Sequence, residues 1–283
     1  MRLLITGTTG FVGRNLKDYF DGRDYQMDCP KRVDLNLLDS EAVQSYLQTG
    51  RFDVVIHCGV TLSSVEENLK MYFNLERCSG HFGRMICVGS GAEFDNRNYI
   101  PNMSEDYFQK HIPTDIYGFS KYVMAKDIET NDADILNLRV LGIFGKYEDH
   151  TRRFISNNIA RVLSGLDISM NRNMSFDYLY VDDFARIVEV FLDSKPRHII
   201  YNTCNGKAVD LLSLAEMIRE VHGGDVPITV KQEGLGNEYS GDNSLFLGEF
   251  GGFEFTNMQT AVGELYDWYK HSSGIEFHAA MFE

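Results

Sequence analysis

The chain contains no apolar run long enough for a membrane span or a secretory segment; the first, Leu3-Leu4-Ile5, is only three residues long. Its five prolines never gather into a linker, and neither an internal repeat nor a low-complexity stretch is present. The five cysteines, at positions 29, 58, 78, 87 and 204, form no C-x-x-C pair and no metal-ligand spacing, so no metal site is expected. Cys58 and Cys87 sit within apolar runs, where a buried thiol is the simplest reading. An odd number of cysteines without a signal segment points to a reducing cytoplasm. Positive charge is also scarce. Lys+Arg 27 against Asp+Glu 41 leaves a net charge of −14, which argues against nucleic acid or an anionic membrane as partner. What remains is 43% hydrophobic and 24% charged, the composition of a globular chain with an ample core. Its 283 residues suit one large or two modest domains.

The first half alternates short apolar runs with amphipathic segments. Residues 1–6, 25–29, 52–57, 85–88 and 135–140 read as strands, and 13–20 and 39–48 as helices, the latter capped by Asp39 or Ser40. Continuous apolar strands separated by helices require a sheet covered on both faces, hence a doubly wound, parallel α/β fold. The second half is less regular. Helices are expected over 152–163, from Asp182, over 211–221 and over 260–269, and short strands over 177–181 and 199–202. Asp182-Asp183 reads as a capping pair, and 233–252 as a Gly-rich loop. No composition shift marks a linker, so the second domain is expected to interleave with the first. A dinucleotide-binding domain would span 1–147 and regain the chain at about 176–205, leaving 148–175 and 206–283 to a smaller α/β substrate domain.

Between the first strand and first helix lies Gly7-Thr8-Thr9-Gly10-Phe11-Val12-Gly13. One glycine permits a sharp turn, a second lets backbone approach a pyrophosphate, and a third lets the helix pack against its strand. The helix N-terminus then offers unsatisfied N–H groups and a positive dipole end. Cofactor choice is written after the second strand, where an acid suits NAD and positive charge suits the 2′-phosphate of NADP. Here Lys31-Arg32 follows Cys29-Pro30, which favours NADP(H) over NAD(H); a solvated basic pair is the alternative.

Tyr117-Gly118-Phe119-Ser120-Lys121 sets a phenol and an ammonium one helical turn apart. A tyrosine titrates near ~10 and becomes a useful acid–base group when a neighbouring cation stabilises its phenolate. Ser90 follows the strand MICVG, at the carboxyl end where such sheets place their sites.

TGTTGFVG, CVGSGAEF and YGFSK together resemble the extended short-chain dehydrogenase/reductase family, whose members mostly modify nucleotide sugars. The likeness continues through LRVLGIFG, YVDDFARI and YNTCNGKAVDLLSLAEMI, and so covers most of the chain. It implies that Ser90, Tyr117 and Lys121 form the catalytic triad. It also implies that Asp39 meets adenine, that Cys58, Gly59 and Val60 line the cofactor, and that Leu141 and Ile143 lie near the carboxamide. KRVDLNLLDSEAV is similar to the matching segment of GDP-fucose synthases, which use NADPH.

Departures from the family narrow the reaction. The dehydratases follow the triad serine or threonine with Asp-Glu, where this chain has Gly91-Ala92. GDP-fucose synthases epimerise with a cysteine and a histidine, at positions that hold Ala92 and Arg153 here. The likeness that remains is to reductases of nucleotide-linked 4-keto-6-deoxy sugars. The expected reaction is C4 carbonyl reduction with Tyr117 as acid, serving surface polysaccharide synthesis. A nucleotide-sugar 4-epimerase holding NAD and a non-catalytic NADP-binding sensor are the rivals. Arg152, Arg153 and Arg172 are the basic candidates for a substrate diphosphate. Family position places Glu93 and Asp95 on a rim over the sugar; Tyr239, in YSGDNS, would complete the pocket, and His150 could touch substrate. His57 reads as a core residue, and a homodimer formed near the Tyr117 helix is expected.

Overall fold

Leu3 and Ile5 face one side of strand β1 (Arg2–Thr6), Leu4 faces the other, and all three are fully buried. Such a strand can exist only between two layers of helices. The computed structural model describes residues 1–272 together with Phe277 and Met281. The chain runs from β1 through α1 (Phe11–Phe20), β2 (Gln26–Asp28), α2 (Ser40–Gly50), β3 (Phe52–His57), α3 (Val65–Glu76), β4 (Phe82–Ser90), α4 (Ile116–Thr130) and β5 (Ile135–Val140). It continues through β6 (Ile143–Phe144), α5 (Phe154–Leu163), β7 (Ile168–Asn173), β8 (Ser175–Asp177), β9 (Leu179–Tyr180), α6 (Val181–Asp193) and β10 (Ile200–Thr203). Then come β11 (Ala208–Asp210), α7 (Leu211–His222), β12 (Ile228–Leu235), α8 (Ser244–Glu249) and α9 (Met258–His271).

Six strands form one wholly parallel sheet in the order β10-β5-β4-β3-β1-β2. On one face Leu3, Ile5, Val54, Ile56, Ile86 and Val88 pack with Leu16 and Phe20 of α1 and Phe184 and Phe191 of α6. On the other, Leu4, Val55, Met85 and Cys87 pack with Val43 and Leu47 of α2, Tyr72 of α3 and Met124 of α4. Alternate residues of each strand thus serve opposite helix layers, and each large apolar side chain so buried contributes about 1.5–3 kcal/mol. This is the doubly wound parallel architecture expected from the strand runs.

Among the described residues, three two-stranded pairs lie beyond the sheet: β6 with β9, β7 with β12, and β8 with β11. A second core joins Ile155 and Ile159 of α5, Leu214 and Ile218 of α7, and Val262 and Leu265 of α9.

Several local expectations are corrected. The helix after YV begins at Val181 with Tyr180 at its N-cap, and no side chain caps it. Asp183 is buried and accepts hydrogen bonds from Thr256 N (2.9 Å) and Oγ1 (2.8 Å), while Asp182 pairs with Lys146 at 3.6 Å. The stretch 233–252 is not all loop: β12 extends to Leu235, and α8 docks Phe246 under the sheet. Helix α3, with Glu66, Glu67, Lys70 and Asn74 on one short segment, carried too weak an apolar stripe to be read from sequence.

Candidate active site

A cleft of about 1380 Å³ runs along the carboxyl ends of β1, β3 and β4 and out toward the second core. Its first arm begins at the glycine-rich turn, where Gly7, Thr9, Gly10, Phe11, Val12 and Gly13 line it. Gly7 has φ +71°, and a side chain there would start 2.7 Å from the Cys58 carbonyl carbon and the Gly59 nitrogen. Glycine is therefore required twice over, by conformation and by the close approach of the β3 end. A side chain on Gly13 would collide with the Gly7 carbonyl. Helix α1 has Gly10 as its N-cap, with no side-chain cap and no acid in its first turn, so the leading N–H groups from Phe11 on face the cleft without an internal acceptor. That is a fit for a dinucleotide pyrophosphate.

Lys31 and Arg32 line the cleft beyond β2, both exposed and, among the described residues, without an ion-pair partner. Cys58, Gly59 and Val60 line it after β3. Burial pushes the Cys58 thiol up to about 12, so it serves as packing surface rather than as a nucleophile. His57, at the end of β3, shares a 2.9 Å hydrogen bond with Thr6 Oγ1, and burial holds its imidazole down to about 3. It is a neutral core residue.

Two expected cofactor contacts lie elsewhere. Asp39 does not line the cleft; its Oδ1 accepts from Glu41 N and Ala42 N at 3.1 Å each, capping α2, while Leu35, Leu37 and Leu38 take its place on the wall. Leu141 is fully buried against Phe94, Met103 and Cys204, and its neighbours Val140, Gly142 and Ile143 line the cleft instead.

Ser90, Tyr117 and Lys121 converge at the middle. Ser90 ends β4, and its Oγ accepts from Ala92 N at 3.2 Å. Asp115 caps α4 by accepting from Gly118 N at 2.8 Å, and so sets where Tyr117 emerges. Gly118 matters here because a side chain would start 2.8 Å from the Ala92 carbonyl; its absence lets α4 press against the serine turn. Lys121 is 4% exposed, and its Nζ donates to the Val88 carbonyl at 2.7 Å, 6.0 Å from the Tyr117 ring centre. The ammonium is thus fixed from below, beside the phenol one turn earlier. Asn68 of α3, unforeseen in the sequence, is buried and donates to Ser120 Oγ (2.9 Å) and Thr61 O (2.8 Å), tying α4 to the loop after β3.

The second arm carries Arg152, Arg153 and Arg172, all exposed, with Tyr239 opposite. Tyr239 belongs to a row of rings, with Tyr99 at 4.6 Å and Phe176 at 5.3 Å, and Phe176 stacks on Tyr178 at 5.3 Å. Tyr99, Tyr178 and Glu148 escaped sequence reading, since nothing local marks them as facing a cavity. Glu148 is buried, accepts from Ser156 Oγ at 2.5 Å, and is pushed up to about 7 by burial. Three expected contacts fail here. His150 packs its ring against Tyr269 and Phe277, away from the cleft. Glu93 is not a rim residue: it is 0% exposed and pairs with Arg139 at 2.7 Å, and Asp95 is buried beside Arg97.

The profile of the NAD dependent epimerase/dehydratase family matches residues 3–204. Methionine adenosyltransferase 2 subunit beta of Danio rerio is 27% identical over 205 residues, 66% of this chain and 62% of that protein. The match thus spans under two thirds of that relative's length. A GDP-L-fucose synthetase structure from Naegleria fowleri superposes with TM-score 0.82 at 16% identity, covering 96% of this chain and 93% of the other. MlghC, a GDP-mannoheptose C4 reductase from Campylobacter jejuni with NADP bound, gives TM-score 0.76 at 17% identity, covering 95% and 98%. Structures solved with NAD share the fold as well.

Proposed function

This chain belongs to the NAD dependent epimerase/dehydratase family, a family of NAD(P)-dependent enzymes of the oxidoreductase type, and from that premise we propose that it reduces the C4 keto group of a nucleotide-linked 4-keto-6-deoxy sugar with NADPH. The observation that carries the reading is the meeting of Ser90, Tyr117 and Lys121 in one cleft with an uncapped, glycine-approached helix N-terminus. NADPH, when bound, supplies the hydride. Tyr117 gives its phenolic proton to the oxygen of the reduced carbonyl and becomes a phenolate, which the adjacent Lys121 ammonium stabilises. Ser90 donates to the same oxygen, strengthening as negative charge develops there. The open N–H groups of α1 hold the pyrophosphate, and Arg32 the 2′-phosphate. Arg152, Arg153 and Arg172 receive the substrate diphosphate. Gly91 and Ala92 offer no group able to remove a proton from carbon, which sets dehydration and epimerisation at C3 or C5 aside, while a 4-epimerase, which works through the same triad, stays the rival.

We assign the dinucleotide to 1–147 and 176–205 and the sugar nucleotide to the rest, and take the enzyme to be a cytoplasmic homodimer in surface polysaccharide synthesis. The test is a panel of CDP-, dTDP-, GDP- and UDP-4-keto-6-deoxy sugars with NADPH, followed by product stereochemistry. Stoichiometric NADPH oxidation with one of them supports the reading. Tightly held NAD that copurifies and never exchanges would instead favour a 4-epimerase. A second reading has its own support, because the Danio rerio relative is named as a subunit of another enzyme. A chain that binds NADPH yet turns over no member of the panel fits a nucleotide-binding subunit.

A further inference from the structure

Glu93 and Arg139 form an ion pair at 2.7 Å with side-chain exposures of 1% and 0%, directly beneath the carboxyl end of β4. Arg139 lies over the rings of Phe94 (4.4 Å) and Phe108 (4.9 Å) and donates to Asn202 Oδ1 of β10 at 3.3 Å. Asn137 Nδ2 adds a donor to Glu93 Oε2 at 3.1 Å. The second carboxylate oxygen, Oε1, accepts from the backbone N–H of Ser90 at 2.9 Å. The cradle is tight: a side chain on Gly89 would start 2.6 Å from Glu93 Oε1 and would also collide with the Asn137 amide.

A buried ion pair is weak support for a fold, because desolvation offsets most of the attraction and well-packed apolar residues do as well. What this pair does that an apolar pair would not is hold the serine. Lys121 pulls on the Val88 carbonyl and Glu93 on the Ser90 N–H, so the strand end is gripped on both sides of Gly89 by opposite charges. Ala92 N–H occupies a lone pair of Ser90 Oγ, which leaves the hydroxyl proton for an acceptor in the cleft. We propose that Glu93, clamped by Arg139, is the positioning residue for Ser90, fixing the serine so that its hydroxyl donates to the substrate oxygen. The proposal rests on the reading of Ser90 as a donor to that oxygen.

A kinetic cycle tests it with the substrate identified by the panel. E93L/R139M replaces both charges with apolar groups of similar bulk and is expected to fold with a lowered Tm, because the Ser90 N–H, the Asn137 amide and Asn202 Oδ1 lose their partners. It should lower kcat by about 10- to 100-fold with KM and NADPH affinity near those of the wild type. In an S90A background the same pair of substitutions should cost almost nothing, since the group being positioned is gone. The isosteric E93Q, which keeps the volume and an acceptor oxygen, should show a smaller loss with the same disappearance in S90A; it also serves if E93L/R139M does not fold. Equal losses in both backgrounds, or full kcat in a folded E93L/R139M enzyme, would overturn the proposal alone. An S90A enzyme as active as the wild type would overturn the reading of Ser90 and the proposal with it.

Discussion

The Tyr239 hydroxyl occupies the space in which a side chain on Gly91 would have to begin. Leu141 closes the other side, its Cγ 2.9 Å from the same point, and Tyr99 donates to the Gly91 carbonyl at 3.3 Å. The aromatic wall over the serine turn therefore depends on the missing side chain. Gly91→Ala should displace Tyr239 and raise KM for the sugar nucleotide by about tenfold, the scale of a modest overpacking cost, with NADPH affinity unchanged. Adding Tyr239→Phe removes the clashing oxygen and should recover part of the loss. Steady-state kinetics of the three variants decides this, and a double variant no better than Gly91→Ala would refute the steric link.

Tyr117→Phe removes the proton donor and leaves the ring. NADPH oxidation with the accepted 4-keto sugar should fall by about 100-fold or more, while NADPH titration gives the wild-type affinity. Substantial residual turnover would sink the role assigned to the phenol.

Arg32→Ala separates the two dinucleotides. Loss of a charge-assisted contact to the 2′-phosphate should weaken NADPH by about tenfold or more and leave NADH nearly untouched. Fluorescence titration of both cofactors reads the ratio, and equal losses would remove the basis for preferring NADPH.

Glu148 gives a prediction in pH. Burial lifts its carboxyl from 4.5 to about 7, so between those values the folded chain holds a proton that the unfolded chain has released. Its contribution to stability is greatest below 4.5 and falls as pH rises through this window, by about 3 kcal/mol in all. His57 acts with the opposite sign: its imidazole, held from 6.5 down to about 3, lets the unfolded chain take a proton first, so acidification below 6.5 costs stability. Comparing wild type with Glu148→Gln isolates the carboxyl. Urea unfolding at pH 5 and pH 7.5 should show the variant gaining on the wild type at the higher pH, and parallel profiles would show that Glu148 is not held neutral by its burial.

The first arm of the cleft was legible because its demands are local. A turn with φ +71° at Gly7 and a helix packed on the Gly7 carbonyl at Gly13 write themselves as glycines, and a phenol and ammonium one turn apart need only a helix. Parallel strands likewise declared themselves as apolar runs. The misplaced residues are those whose direction is set by distant partners. Glu93 turns inward because Arg139 waits on β5, and Leu141 because Cys204 and Met103 leave it a pocket. Asp39 has two legible roles, cap and ligand, and backbone donors two and three residues on take it. Tyr99 and Glu148 face the cavity only through the packing of loops whose direction no periodic pattern encodes.

The loop that carries Tyr99 is stitched to the loop after Tyr239: Asn102 N donates to Ser240 Oγ at 2.7 Å, Met103 N to Ser240 O at 3.0 Å, and Asp242 N to Met103 O at 2.9 Å. The wall thus joins a segment of the first half of the chain to one of the second. During synthesis the cofactor arm has all of its lining by Ile143, whereas the sugar arm gains its facing wall only when residue 242 has emerged. A chain that stops short of residue 242 lacks that wall, so the enclosure of the second arm is a property of the completed fold alone.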